Sequence, residues 1–168
     1  MSEGQGSLHR FCAKCFGIDS GLVICKLKNY GLSGKVERLT AKGAWGTVEW
    51  AVDKDGFLPA RVDYERLDTD RKAKMSALFQ RLADVGRINN REQFRNLGER
   101  SGKRGSELWE FKRFQDRFLG NFRPGRRFLI AAYEQKKKDR LDPAVIERAV
   151  RVLAENDRYE AQYEYRKT

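Results

Sequence analysis

Between Ser106 and Arg140 three runs rich in aromatic and aliphatic residues, Leu108–Phe114, Arg117–Phe122 and Arg127–Tyr133, are separated by turn signals. Pro124-Gly125 is the strongest of these, since proline presets φ and glycine accepts a positive φ. The pattern predicts an antiparallel meander of three strands. Side chains alternate along a strand, so Trp109 and Phe111 share a face and Lys112 points to the other. In the same way Phe118 and Phe122 oppose Arg117, and Phe128 and Ile130 oppose Arg127 and Tyr133. One face is therefore expected to meet a core, and the other to be basic with an interleaved aromatic, a surface suited to phosphates and stacked bases.

Charge concentrates on this stretch. Twelve Lys and Arg residues lie between Lys103 and Arg140 against five acids, in a chain of 168 residues with formal net charge +11 and pI near 9.8. A polyanion is the first partner to consider, with solvated surface lysines as the plain alternative. The length suits one domain plus an extension. No apolar run reaches the ~18 residues of a membrane span. Gly21–Cys25 is too short for a signal peptide, so a cytoplasmic protein with reduced cysteines is expected.

Residues 1–46 have poor apolar periodicity and read as an extension, or as the product of a start codon assigned too far upstream. His9, Cys12, Cys15 and Cys25 offer a weak zinc set, because the second half-site is a single cysteine. Order is expected from Thr47, with a strand over Thr47–Val52 and a turn at Asp53–Gly56. Pro59 opens a helix to about Leu67. Asp68 or Thr69 caps a second, in which Met75, Leu78, Phe79, Leu82 and Val85 form an apolar stripe closed by Gly86. A third helix is predicted over Asn90–Leu97, with Phe94 and Leu97 in the core, and a loop over Glu99–Gly105. Asp142-Pro143 opens a last helix whose stripe is Ile146, Ala149, Val150 and Leu153, ahead of a tyrosine-rich tail, Tyr159–Thr168. The fold class is α+β: an antiparallel, mixed-edge sheet packed against a helical hairpin, with a C-terminal helix.

No Walker loop, dinucleotide fingerprint or Ser–His–Asp set is present. The single histidine lies in the extension. RNA cleavage can proceed without one, because the 2′-hydroxyl is an internal nucleophile and cations stabilise the phosphate. A tyrosine or lysine with a depressed pKa can then move protons. Each residue also has a plainer reading: Lys112 solvated, Arg126 and Arg127 keeping a hairpin soluble, Lys136–Lys138 a solvated charge run, Trp109 and Phe111 core, Tyr133 packing at the sheet edge.

Taken together, VEWAVDKDGFLPARVDYERL at 48–67, KMSALFQRLADVGRI at 74–88, LWEFKRF at 108–114 and KKKDRLDPAVIERAVRVLAEN at 136–156 resemble the RelE/ParE superfamily of type II toxins, in its HigB-like, phage-derived branch. The family's Leu-Trp-Glu-Leu-Arg strand is matched by Leu108–Lys112. Its basic pair before a Thr-Pro-opened helix is matched by Lys136 and Lys137 before Asp142-Pro143. The resemblance covers about residues 48–157 and implies a ribosome-dependent mRNA endoribonuclease, inhibited by a helix-turn-helix antitoxin and needing no cofactor. By position it carries over Lys112, Arg117, Lys136 and Lys137, with Tyr133 one residue out of register; together with Arg127 these are the catalytic candidates, and Arg113, Arg123, Arg126, Lys138 and Arg140 are the RNA-binding candidates of the basic stretch. The chain departs from the family pattern at Ala131 and Ala132, where relatives carry a histidine, at Gly120-Asn121 in the second strand, and at Asp142. The same scaffold also carries ParE-like gyrase inhibitors, and a basic nucleic-acid-binding module without activity is the third alternative. Lys112 and Arg117 are expected to be exposed, so that their alanine variants keep the fold.

Overall fold

The computed structural model describes residues 37–98, 107–136 and 140–165 (163–165 as backbone). The elements run β1 (Leu39–Lys42), β2 (Thr47–Trp50), α1 (Pro59–Glu65), α2 (Thr69–Val85), β3 (Phe94–Asn96), β4 (Trp109–Arg113), β5 (Asp116–Arg123), β6 (Arg127–Gln135) and α3 (Pro143–Tyr165). The chain is α+β, with one mixed six-stranded sheet in the order β1-β2-β6-β5-β4-β3. β2 and β6 are parallel and every other neighbouring pair is antiparallel. The meander is present as expected, and so are α1, α2 and the helix opened by Asp142-Pro143.

Local chemistry accounts for the helix ends. The Asp68 carboxylate accepts from Arg71 N at 2.9 Å and caps α2, while Gly86 ends it in the left-handed region at φ 74°. Asp142 accepts from Ala144 N at 2.9 Å, with Pro143 at the first position of α3.

Three expectations are corrected. First, Asn90–Leu97 is not a helix. Asn90 does start a turn, accepting from Glu92 N at 2.8 Å, but the chain then extends so that Phe94 pairs with Phe111 and stacks on Trp109, ring centres 4.9 Å apart. Burying Phe94 in that aromatic group outweighs a helix too short to propagate; Phe94 and Leu97 are both core. Second, order does not wait for Thr47. Leu39–Lys42 forms an edge strand within the stretch read as an extension, and its single buried side chain, Ala41, explains the weak signal.

Third, among the described residues the centre of the sheet has no open basic face. Val48, Trp50, Phe111, Phe118, Phe128 and Ile130 pack against α1 and α2 through Ala60, Met75, Phe79 and Leu82. On the reverse side Leu119, Leu129, Ala131 and Ala132 pack against Ala149, Val152 and Leu153 of α3. The run Phe128–Ala132 is thus buried on both faces. A bulge between Leu119 and Gly120 adds a residue to β6 and flips its parity beyond Ala131. Gly120 is needed there, because a Cβ would lie 2.1 Å from Leu129 O.

Phe79 is the centre of the α2-side core, with ring centres 4.9 Å from Phe111, 5.7 Å from Phe118 and 5.8 Å from Trp50. Phe79→Ala is expected to lower unfolding stability by about 3–5 kcal/mol. Val85→Ala, on the same helix but exposed, is expected to change it by no more than about 0.5 kcal/mol. Urea unfolding of both variants measures the difference.

Candidate nucleic-acid interface

With the central strands covered on both faces, the cations of the meander among the described residues lie toward the ends of the strands. The two-residue turn Phe114-Gln115 sets the register of β4 on β5, making Lys112 and Arg117 direct cross-strand partners, with Glu134 of β6 next in the row. Lys136 N donates to Gln115 O at 2.8 Å, so the start of the lysine run reaches the same end. Lys112, Arg113, Arg117, Tyr133 and Lys136 are therefore neighbours in the sheet. Arg123 and Arg127 pair with each other at the far end of β5, six residues and about 20 Å from Arg117. Arg126 is exposed in the turn between them, and Arg140 is exposed ahead of α3. Lys137, Lys138, His9, Cys12, Cys15 and Cys25 lie outside the described residues. Among the described residues no cluster of His, Cys, Asp and Glu is suited to a metal.

Lys112 and Arg117 are not exposed as expected. The Lys112 side chain is 11% exposed and pairs at 3.0 Å with Glu92, which is itself 85% exposed. Arg117 is 8% exposed, and its Nη1 donates to Phe114 O at 2.6 Å and Asp116 O at 2.8 Å. Its Nε lies 3.0 Å from Oε1 of the fully buried Glu110, close enough for charge pairing but not aligned as a hydrogen bond. The other oxygen of Glu110 accepts from Arg95 Nε at 2.7 Å. Arg95 was missed because its segment was read as a helix. Arg117 thus braces the β4–β5 turn while neutralising a buried carboxylate.

Tyr133 is on the other face. The bulge turns it toward α2, where it packs on Phe118, ring centres 4.8 Å apart. Its hydroxyl donates to Asp116 Oδ1 at 2.7 Å and accepts from Arg71 Nη2 at 3.1 Å. Arg71 grips the buried Asp116 with two donors, Nε to Oδ2 at 2.8 Å and Nη2 to Oδ1. Burial, and then Asp116, push the phenol well above the ordinary tyrosine range. That is opposite to the depression a tyrosine base would need; Tyr133 is a neutral donor.

Arg127 is held within a charged group, paired at 3.0 Å with Glu49 and 2.7 Å with Glu160, while Arg38 reaches Glu160 at 2.8 Å. Arg123 pairs with Asp157 at 3.1 Å. These contacts dock the C-terminal half of α3 on the sheet. Arg113 is half-buried, its guanidinium 5.0 Å from the Phe114 ring centre.

No helix among the described residues is long and apolar enough to cross a membrane. No protein-family model matches this chain, and comparison with curated proteins finds no match.

Two predictions test the structural roles. Arg117→Ala is expected to destabilise the fold by about 2–4 kcal/mol, because it strips one partner from a buried carboxylate; urea unfolding reads the loss. Glu160 responds to pH. Burial alone raises its pKa, but Arg127 and Arg38 outweigh burial and hold it at about 2, against 4.5 for an unperturbed glutamate. A lowered folded-state pKa contributes stability that is full above the unfolded value and is lost as pH falls through the folded one. Glu160→Gln is therefore expected to be less stable than wild type at neutral pH, with the gap closing between pH 4.5 and about 2. Urea midpoints across that range measure it.

Proposed function

We propose that this chain is the toxin of a type II toxin–antitoxin pair, a RelE-like, HigB-branch endoribonuclease acting on mRNA at the ribosome. The observation that carries the reading is the cross-strand pair Lys112–Arg117, with the backbone of Lys136 bonded to the turn between them. It is supported by the order β2, α1, α2, the meander β4–β6 and α3, which agrees with the resemblance drawn from residues 48–157, with β1 and β3 added at the two edges of the sheet.

The chemistry follows from what these residues supply. The 2′-hydroxyl of the RNA attacks the adjacent phosphorus, the 5′-oxygen leaves with a proton, and a 2′,3′-cyclic phosphate remains. Negative charge grows on the non-bridging oxygens, where fixed cations lower the barrier most. Arg117 is held rigid by the two turn carbonyls and is suited to that electrostatic role. Lys112 is the cation a phosphate can recruit, because Glu92 returns to water when displaced. Tyr133, its hydroxyl bonded to Asp116 and Arg71, is assigned a donor's role and not a base's, and Arg127, paired with two carboxylates at the far end of β5, a structural one. The cognate antitoxin is expected to offer an acidic or helical segment to this end of the sheet.

A second reading, binding of nucleic acid without cleavage, is favoured by the structural engagement of Arg117, Arg127 and Tyr133. The two separate in one experiment: the protein is incubated with translating ribosomes and mRNA 5′ ends are mapped. New ends are expected with wild type and not with Lys112→Ala, whose urea midpoint is expected to stay close to wild type because Glu92, its ion-pair partner among the described residues, is exposed. Intact messages at growth-arresting doses overturn the nuclease reading, and accumulation of cleaved DNA in their place indicates a gyrase inhibitor.

A further inference from the structure

Phe114 is the most exposed large apolar side chain among the described residues, at 66%. It occupies the first position of the two-residue turn joining β4 to β5, with φ 50°. Glycine or asparagine is the ordinary choice there, since a bulky L-residue is strained in the left-handed region. The ring stands outside the core, so packing does not repay the strain. Strained residues of this kind persist where the surroundings hold them and where the side chain has a use.

The surroundings do hold it. Arg117 Nη1 donates to Phe114 O at 2.6 Å, and Lys136 N donates to Gln115 O at 2.8 Å, so both turn carbonyls are tied to cationic residues. Lys74 Nζ and the Arg113 guanidinium lie over the ring, each 5.0 Å from its centre, so a base stacks there as these cations swing out to its phosphates. Among the described residues Lys74 is otherwise paired with Asp70, whose side chain is 68% exposed. An aromatic face on a fixed backbone, flanked by recruitable cations, is the pattern that binds an unpaired base and its neighbouring phosphates.

We propose that Phe114 is a base-stacking platform for single-stranded RNA, with Lys74 and Arg113 taking the flanking phosphates. This rests on the reading of the chain as an RNA-binding protein, but not on cleavage. Stacking on a phenyl ring tolerates any base and requires that the base be free of a duplex. A membrane surface suits the site less well. One ring buries little apolar area, and the exposed carboxylates of Asp68 and Asp70 beside Lys74 would face anionic headgroups.

The turn's geometry supplies an unusual test, because the substitution that removes the ring also removes the strain. Relief of the strained φ and the greater freedom of an unfolded glycine oppose each other, so Phe114→Gly is expected to keep or raise Tm. Affinity is read by fluorescence anisotropy with a labelled single-stranded RNA and with the same strand annealed as a duplex. Wild type is expected to prefer the single strand, Phe114→Gly to lose at least about 5-fold in affinity for it, and Phe114→Tyr to retain it. Equal binding of the single strand by wild type and Phe114→Gly overturns the stacking role and leaves the RNA reading standing. Failure of wild type to bind either RNA overturns both. A preference for duplex, or binding to phosphatidylserine vesicles in place of RNA that is lost in Phe114→Gly, also overturns the proposal.

Discussion

The burial of β6 on both faces decides where this protein can do anything else. Phe128 and Ile130 face α1 and α2 while Leu129, Ala131 and Ala132 face α3, so the centre of the sheet offers no polar surface. A charged ligand is left with the strand ends. Of the two ends, the one carrying Arg123 and Arg127 is occupied by α3, whose Asp157 and Glu160 neutralise those arginines. The opposite end, where β4 turns into β5, keeps cations whose partners are exposed.

That asymmetry rests on the register of the meander. A two-residue turn makes Lys112 the neighbour of Arg117, and the Arg71–Asp116–Tyr133 group locks the start of β5 beneath the N-terminus of α2. Asp116 is buried and acceptor-only when ionised, so it has to be met by donors. Arg71 and Tyr133 supply them from opposite neighbours, α2 and β6. The cap at Asp68 serves the same end by fixing the first turn of α2, from which Arg71 projects.

Much of this was legible in the residues. The stripe from Met75 to Leu82, the cap and stop at Asp68 and Gly86, the Pro124-Gly125 turn and the Asp142-Pro143 start each express a local preference that nothing distant overrides, although Val85, read as the end of that stripe, is exposed. What misled was the alternation rule applied to β6. Five consecutive apolar residues from Phe128 to Ala132 are the mark of a strand covered on both faces, and reading them as alternating left α3 without a place to pack. The bulge opposite Gly120 is equally hidden, and one inserted residue moves Tyr133 to the wrong face. Asn90–Leu97 failed for a different reason: its turn signal is real, but Phe94 has its aromatic neighbours only after distant strands have come together. The candidate site was legible as a set of cations and not as a geometry, since register separates Lys112 and Arg117 from Arg127.

Net charge therefore says less about function here than the company each cation keeps. Arg71 and Arg117 are matched to buried carboxylates, Asp116 and Glu110, and Arg38 and Arg127 share the half-buried Glu49 and Glu160. Withdrawing any of these guanidiniums would leave a desolvated carboxylate short of a partner, so a ligand can borrow their field but not their contacts. Lys74 and Lys112 are different, because Asp70 and Glu92 lie in water whether paired or not. A phosphate arriving at either lysine displaces a carboxylate that is already hydrated, and the exchange leaves nothing buried unpaired. The recruitable charge is thus at the β4–β5 end, beside Phe114, while Arg117, Arg123 and Arg127, which help make the sequence look like a nucleic-acid binder, are holding the fold together.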